Sequence, residues 1–346
     1  MDLILEAVER GMVPDALIRM GIRRLCAQKL ADEHAGGADA MAARYAALRA
    51  AMRSAPIALH TTAANDQHYE VPAAFFERVL GPRLKYSGAL WDGARTLAEA
   101  EDRMLAVTCE RATLADGQRV LELGCGWGSL TLWMAEHYPH SHITAVSNSA
   151  SQRAFILERA RLRGLPNVEV MTADMNVFAP PEGVRFDRVV SVEMFEHMRN
   201  WEALLARIHG WLSPDGALFV HVFALRDAAY FFETDGRSDW MARHFFTGGV
   251  MPSERLLEDC ATGFTVAGRW WVDGTHYERT SNAWLVRQDA AEGGLRAVLA
   301  EAVGVHEASR ALERWRVFHM ACAELFGLHG GRDWGVTHAR LTPRTS

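Results

Sequence analysis

Apolar positions in residues 1–54 recur every three to four places, in LILEAV, DALIRMGIRRLCAQKLA and DAMAARYAALRAAM, which is the spacing of helices that bury one face. HAGGADA separates the last two. Such helices serve as a packing layer, a cap, an oligomerisation surface for a homodimer or a membrane-facing element, and burial of the stripe within the same protein is the commonest use. A loop, IALHTTAANDQHYEVP, leads to a short helix around AAFFERVL and the turn GPRLKYSGALW. From residue 96 the pattern changes: a long helix, LAEAEDRMLAVTCERA, precedes the strand RVLELGCG, and strands then alternate with helices. HITAVS, VEVMTA, DRVVSVE and ALFVHVFA read as strands, with helices GSLTLWMAEHY, SASQRAFILERARLRG and WEALLARIHGWL between them. That alternation predicts an α/β fold with a doubly wound, mostly parallel sheet whose ligands gather at the strands' carboxyl ends.

After residue 224 the alternation breaks into FFETDGRSDWMARHFFTGGVMPS, rich in aromatics and glycine. An insertion at about 224–262, following a core strand, suits a lid over a site at that strand's end. The last third holds WWVDGTHYERTSNAWL, a helix around HEASRALERWRVFHMACAELFG, and an expected edge strand at DWGVTHARL.

Composition narrows the class. The 346 residues, 49% apolar and 23% charged, support a large core, and a formal charge of −6 argues against a nucleic-acid partner bound through a broad basic surface. Cys26, Cys109, Cys125, Cys260 and Cys322 form no CxxC pair and stand near no histidine cluster, so a reduced protein without a structural metal is expected. Acids at Asp2, Glu6 and Glu9 stand where a signal peptide would be positively charged, and no stretch reaches the ~18 apolar residues of a membrane span. A cytoplasmic location is expected, and an amphipathic helix leaves room for peripheral membrane contact.

The strongest local signal is VLELGCGWGSL, which ends a strand and opens a helix with Gly124, Gly126 and Gly128 alternating. Glycine lets the backbone turn sharply and approach a ligand, and the helix start offers free N–H groups. A dinucleotide fingerprint would need its third glycine one residue later and an acid about 20 residues on. The second strand instead ends at Val146-Ser147-Asn148.

ELGCGWG resembles motif I of class I S-adenosylmethionine-dependent methyltransferases. Together with HYEVPAAFF, LKYSGALW, SNSASQ, VEMFEHMRN, LFVHVF and FFTGGVMPS, it is similar to the cyclopropane fatty acid synthase-like branch, nearest its coclaurine N-methyltransferase-type members. The likeness runs from MVPDALIRMGIRRL to AELFGLHGGRDWGVTH. It implies a Rossmann-like domain over 96–346, with residues 1–95 as a helical region and cofactor-covering segment. By the same resemblance Glu122, Gly124, Gly126 and Gly128 shape the pocket for the methionine end of S-adenosylmethionine, and Tyr86 and Ser87 close over it. Ser147 and Gln152 stand near the ribose and methionine, Asp174 and Met175 near the adenine, and Glu193 opens the segment facing the sulfonium. As residues alone, Asp174 also suits a turn or helix cap.

Glu193-Met194-Phe195-Glu196-His197 puts two carboxylates and an imidazole at a strand's carboxyl end. An amine acceptor with a pKa near that of lysine costs about 4 to 5 kcal/mol to neutralise at pH 7, and histidine accepts protons near neutrality. His197 is therefore expected as general base, with Glu193 and Glu196 orienting the acceptor. A protein that merely bound the cofactor would have no need of two acids and a base in one place. The alternative is methylene transfer from S-adenosylmethionine to an unsaturated acyl chain of a membrane phospholipid. The resemblance implies that the lipid synthases tend to have glycine at the place of Glu193. It also implies a bicarbonate site in those enzymes, formed by a cysteine where this chain has Gly88 and by residues matching Glu196, His221 and Tyr277. His221 and Tyr277 equally suit core positions with hydrogen-bonded tips. The aromatic sets Tyr230-Phe231-Phe232, Phe245-Phe246 and Trp270-Trp271 suit either core packing or an acceptor pocket.

Overall fold

The computed structural model describes residues 2–59, 71–232 and 240–344. His68, Tyr69 and Glu70 of HYEVPAAFF, most of the loop before them and the centre of the expected lid lie outside the described residues.

The amino-terminal periodicity forms helices Asp2–Glu9, Asp15–His34 and Gly37–Ser54. Their buried stripes face the same protein: Ile18 shares an apolar core with Phe76, Trp127, Trp315 and Phe318. Polar ties hold the same contact. Arg19 and Arg23 each reach Glu324 of the helix Val305–Gly327 at 2.7 Å. Glu9 accepts from Arg314 at 2.9 Å and from the Trp240 indole at 2.9 Å, which pins part of the 224–262 insertion to that helix. Among the described residues no helix is long and apolar enough to cross a membrane.

The strands are β1 (Arg119–Leu123), β2 (His142–Ser147), β3 (Val168–Thr172), β4 (Phe186–Val192), β5 (Leu212–Leu225), β6 (Tyr230–Phe231), β7 (Val250–Met251), β8 (Phe264–Asp273) and β9 (Trp334–Pro343). Seven of them form one sheet in the order β3-β2-β1-β4-β5-β9-β8, and β6 pairs with β7 in a small ribbon. β1 to β5 run parallel, while β9 is antiparallel to both its neighbours. The parallel strands are covered on both faces, which is why VLEL and DRVVSV read as nearly continuous apolar runs. This is the doubly wound architecture expected, with one correction. DWGVTHARL is an interior strand between β5 and β8, and β8 is the edge. The sequence misleads there because its polar positions Thr337 and His338 are buried and do not face water, His338 being hydrogen-bonded through both ring nitrogens.

Two features position the site. Strand order reverses between β1 and β4, which opens a crevice at their carboxyl ends. The helix Leu97–Arg111 starts at a capping box, where the Thr96 hydroxyl accepts the Glu99 N–H at 3.2 Å and the Glu99 carboxylate accepts the Thr96 N–H at 3.3 Å. Its last residue, Arg111, points back under the sheet to His338 of β9.

Candidate active site

The turn after β1 needs its glycines. Gly124, Gly126 and Gly128 have φ of +80°, +51° and +83°, a region costly for side-chain-bearing residues. A Cβ at Gly124 would lie 2.6 Å from the Met194 side chain, and one at Gly128 would lie 2.7 Å from Ile156. The turn is anchored by the Gly124 and Cys125 N–H groups, both donating to the Val146 carbonyl. Beside it a cavity opens at the strands' carboxyl ends, walled by Tyr86, Ser87, Glu122, Gln152, Glu193 and Tyr277. A second cavity runs on past Ser147, Asp174 and Met175 and shares Gly124, Gly126, Gln152, Met194 and His197 with the first. Every cofactor residue expected from the sequence except Gly128 lines one of these two spaces, and Gly128 caps the helix Ser129–His137 that backs them.

The polar groups in these cavities suit S-adenosylmethionine. Glu122 is 2% exposed, accepts the Thr131 hydroxyl at 2.5 Å, and burial pushes its carboxyl up from 4.5 to about 8. It is an acid waiting for a cationic or N–H donor, as the ammonium of a methionine moiety would be. At the other end the Ser147 hydroxyl donates to the Gln152 amide oxygen at 2.7 Å, and Asp174 accepts the Asn176 N–H at 2.7 Å. Asp174 is thus both a turn acid and a wall of the cavity.

The shift of Glu122 has a sign. Between about pH 4.5 and 8 the unfolded chain has lost this proton while the folded one keeps it, so its contribution to stability falls as pH rises through that window. A cation bound beside it reverses the shift. Binding of S-adenosylmethionine at pH 7 is expected to release close to one proton, and none above about pH 9. Calorimetric titration in buffers of different ionisation enthalpy measures this, and zero release at pH 7 refutes the assignment.

Glu193 sits at φ +47°, rare for a residue with a side chain. Its N–H donates to the His221 carbonyl at 2.8 Å, which fixes the turn out of β4. Three groups converge on its carboxylate: the Gly88 N–H at 3.0 Å and His221 Nε2 at 3.2 Å on Oε1, and the Tyr277 hydroxyl, which donates at 2.8 Å to Oε2. Burial holds its pKa above the ordinary carboxylate value, against the downward pull of Lys85 and of the Gly88 and Tyr277 hydrogen bonds. Lys85 is itself buried, donates to the Ser87 hydroxyl and is pushed down to about 8. The absence of a side chain at Gly88 matters: a Cβ there would lie 2.9 Å from the Tyr277 ring, which stacks on Phe326 at 4.2 Å.

Glu196 contrasts with Glu193 in its hydrogen bonding. It is 1% exposed, and neither carboxyl oxygen has a hydrogen-bond partner among the described residues. Burial first, and the nearby Glu193 charge second, hold its pKa well above the carboxylate range. Its segment, Phe195–His197, is a single 3₁₀ turn, and His197 lines both cavities with its ring parallel to Phe246 at 5.9 Å.

The aromatic sets divide. Phe246 lines the cavity with Phe232 stacked behind it at 5.1 Å, whereas Phe245 packs on Phe318 at 4.2 Å in the core. Trp270 and Trp271 lie on β8 under Arg111 and Arg226, away from the cavity. Sequence reasoning missed Lys85, Phe223 and Phe318, which also line the cavity. Lys85 and Phe223 belonged to motifs already singled out, LKYSGALW and LFVHVF, whereas Phe318 carries no signal that sets it apart from an ordinary core residue.

The chain is similar throughout its length to proteins of known activity. The family model for mycolic acid cyclopropane synthetase matches residues 59–330. The (S)-coclaurine N-methyltransferase of Thalictrum flavum subsp. glaucum is 36% identical over 340 residues, covering 97% of this chain and 94% of that protein. The cyclopropane-fatty-acyl-phospholipid synthase of Escherichia coli (strain K12) is 33% identical over 224 residues, 64% of this chain and 55% of that protein. A crystal structure of coclaurine N-methyltransferase bound to N-methylheliamine and SAH superposes with a TM-score of 0.94 at 35% identity, covering 98% of each chain. A cyclopropane synthase of Mycobacterium tuberculosis shares the fold, with a TM-score of 0.69 over 82% of this chain and 98% of that one.

Proposed function

Because the chain belongs to the mycolic acid cyclopropane synthetase family, a family of S-adenosylmethionine-dependent enzymes, we propose that its own acceptor is the nitrogen of a small amine, cyclic or aromatic in the simplest case. It is an S-adenosylmethionine-dependent methyltransferase. The reading of the acceptor rests on one observation: at Glu193, where the lipid synthases tend to have glycine, a carboxylate lines the reaction cavity and occupies the place between the Gly88 N–H, His221 Nε2 and the Tyr277 hydroxyl. With Glu196 beside it, the cavity presents two acids to an acceptor. A cationic amine supplies N–H donors and charge to such a place, and a neutral acyl chain supplies neither. The extent of likeness supports the same reading, since the N-methyltransferase relatives match almost end to end and the lipid synthase matches 64% of the chain.

S-adenosylmethionine supplies an electrophilic methyl group on a positively charged sulfur. The protein's part is to hold the acceptor in line and take its proton. Glu196 receives the ammonium and becomes charged as it pairs. Glu193, already saturated by Gly88, His221 and Tyr277, holds negative charge at a fixed place. Phe246 and Phe223 wall the cavity with aromatic faces suited to a flat or cationic acceptor. His197, at the junction of the two cavities, is the base that removes the amine proton and so supplies a neutral nucleophile.

His197→Ala is expected to lower kcat by about a hundredfold, with the Kd for S-adenosylmethionine within about threefold of wild type. Equal losses in both would make His197 a cofactor residue. The assignment of the acceptor is tested by mass spectrometry of reactions offered soluble secondary and tertiary amines or, separately, unsaturated phospholipid vesicles with bicarbonate. Gain of one methyl group in the amine pool supports it. Gain of one methylene group in the lipid alone overturns it.

A further inference from the structure

Behind Glu193 the hydrogen bonding continues away from the cavity. His221 Nδ1 lies 2.9 Å from His338 Nε2, and His338 Nδ1 lies 2.8 Å from the Arg111 guanidinium. The two histidines are direct cross-strand partners on β5 and β9, both 0% exposed, and Arg111 arrives from the end of the helix Leu97–Arg111. We propose that Arg111 and His338 are positioning residues that fix the tautomer of His221, so that it always presents an N–H to Glu193. The proposal rests on Glu193 serving the reaction as a carboxylate.

The argument is one of donors and acceptors. A guanidinium has only N–H groups to offer, so the His338 Nδ1 facing it carries the lone pair. A neutral imidazole has a single N–H, which in His338 is then on Nε2 and points at His221 Nδ1. His221 Nδ1 must accept, and the His221 proton is left on Nε2, 3.2 Å from Glu193 Oε1. With the opposite polarity, a ring lone pair would face a buried carboxylate. Burial first, then Lys85 and Arg111 for His221, and His221, Arg111 and Lys85 for His338, hold both pKa values well below 6.5, so both rings are taken as neutral. His338 is closed in by the edge of Phe219, and Arg111 by the face of Trp270. The groups that face Glu193 are Lys85, His221, Tyr277, Glu196 and Cys322. Removing the lock raises the pKa of Glu193 and moves the acid limb of the reaction towards neutrality.

Long-range ¹H–¹⁵N spectra of the full-length protein labelled at histidine read the tautomers directly, and His338→Gln and His221→Asn assign the signals. Both rings are expected to be neutral with the proton on Nε2 between about pH 6 and 8, and Arg111→Met is expected to give a mixture of tautomers at His338. In kinetics, His338→Leu is expected to lower kcat about tenfold and shift the acid limb of kcat/KM upward, with the KM for S-adenosylmethionine unchanged. His338→Gln restores most of that loss, because its amide oxygen can accept from Arg111 while its NH₂ donates to His221. A wild-type ring protonated on Nδ1, or a glutamine variant as slow as the leucine one, overturns the proposal. The spectra need no acceptor, so a wrong assignment of the amine leaves them interpretable.

Discussion

Glu193→Gly is expected to lower methyl transfer by about a hundredfold, and formate or bicarbonate is expected to restore part of it. The backbone at this position has φ +47°, which glycine adopts without the strain imposed on a glutamate, so the variant keeps the turn. What it loses is the carboxylate on which the Gly88 N–H, the Tyr277 hydroxyl and His221 Nε2 converge. Three donors aimed at one empty place, with Lys85 close by, make a cradle for a small anion. An anion of carboxylate shape restores both the charge and the hydrogen bonding. Unlike most losses at an active site, this one should come with a higher melting temperature, since a strained backbone and a costly buried acid are both removed. Rate measurements across anion concentrations, with chloride as the control, decide the matter. Equal responses to formate and chloride would show that the carboxylate's place is not refilled. The same variant with bicarbonate, offered phospholipid vesicles, also tests how far this side chain separates amine methylation from the lipid chemistry of the related synthases.

The second large effect is expected at Glu196, in binding more than in turnover. A methionine there has similar volume and no polar group, so Glu196→Met removes a buried carboxyl that has no hydrogen-bond partner among the described residues and should raise thermal stability. The acceptor amine loses a charge-assisted hydrogen bond worth about 1.5–3 kcal/mol, a rise in acceptor KM of roughly ten- to a hundredfold. The KM for S-adenosylmethionine should stay close to wild type. In the wild type the acceptor KM should fall as pH rises above the ordinary carboxylate range, because pairing with the ammonium requires this acid to ionise and burial holds its pKa well above that range. A flat pH dependence of acceptor KM, or a variant less stable than wild type, would show that Glu196 is a core residue.

Much of this was legible before the structure because several signals are local. The glycine turn after β1 and the strand-helix alternation each depend on residues close in sequence. Their spacing reports geometry directly. The motif Glu193 to His197 was legible as chemistry, but the division of labour within it was not. Whether a carboxylate is saturated or unpartnered depends on residues 105 positions earlier, at Gly88, and 84 positions later, at Tyr277. The placing of DWGVTHARL at an edge failed for a related reason. Alternating polar residues signal a solvent face unless something buried satisfies them, and here Arg111 and His221 do so for His338. Aromatic pairs carried the least information, since Phe245 and Phe246 are neighbours in sequence yet one fills the core and the other lines the cavity.

The interior place of β9 bears on how the enzyme is made. β5 gains its second neighbour only when Trp334–Pro343 slides between it and β8, more than a hundred residues after β5 itself is synthesised. Until then β5 presents an open edge of unpaired N–H and C=O groups, an invitation to intermolecular pairing. The same strand delivers His338, and the helix before it supplies the partners of Arg19 and Glu9. The pairing of β5 and the contact of His221 with His338 are thus both completed by the same late strand. A chain lacking β9 would leave that edge exposed and His221 without its partner His338.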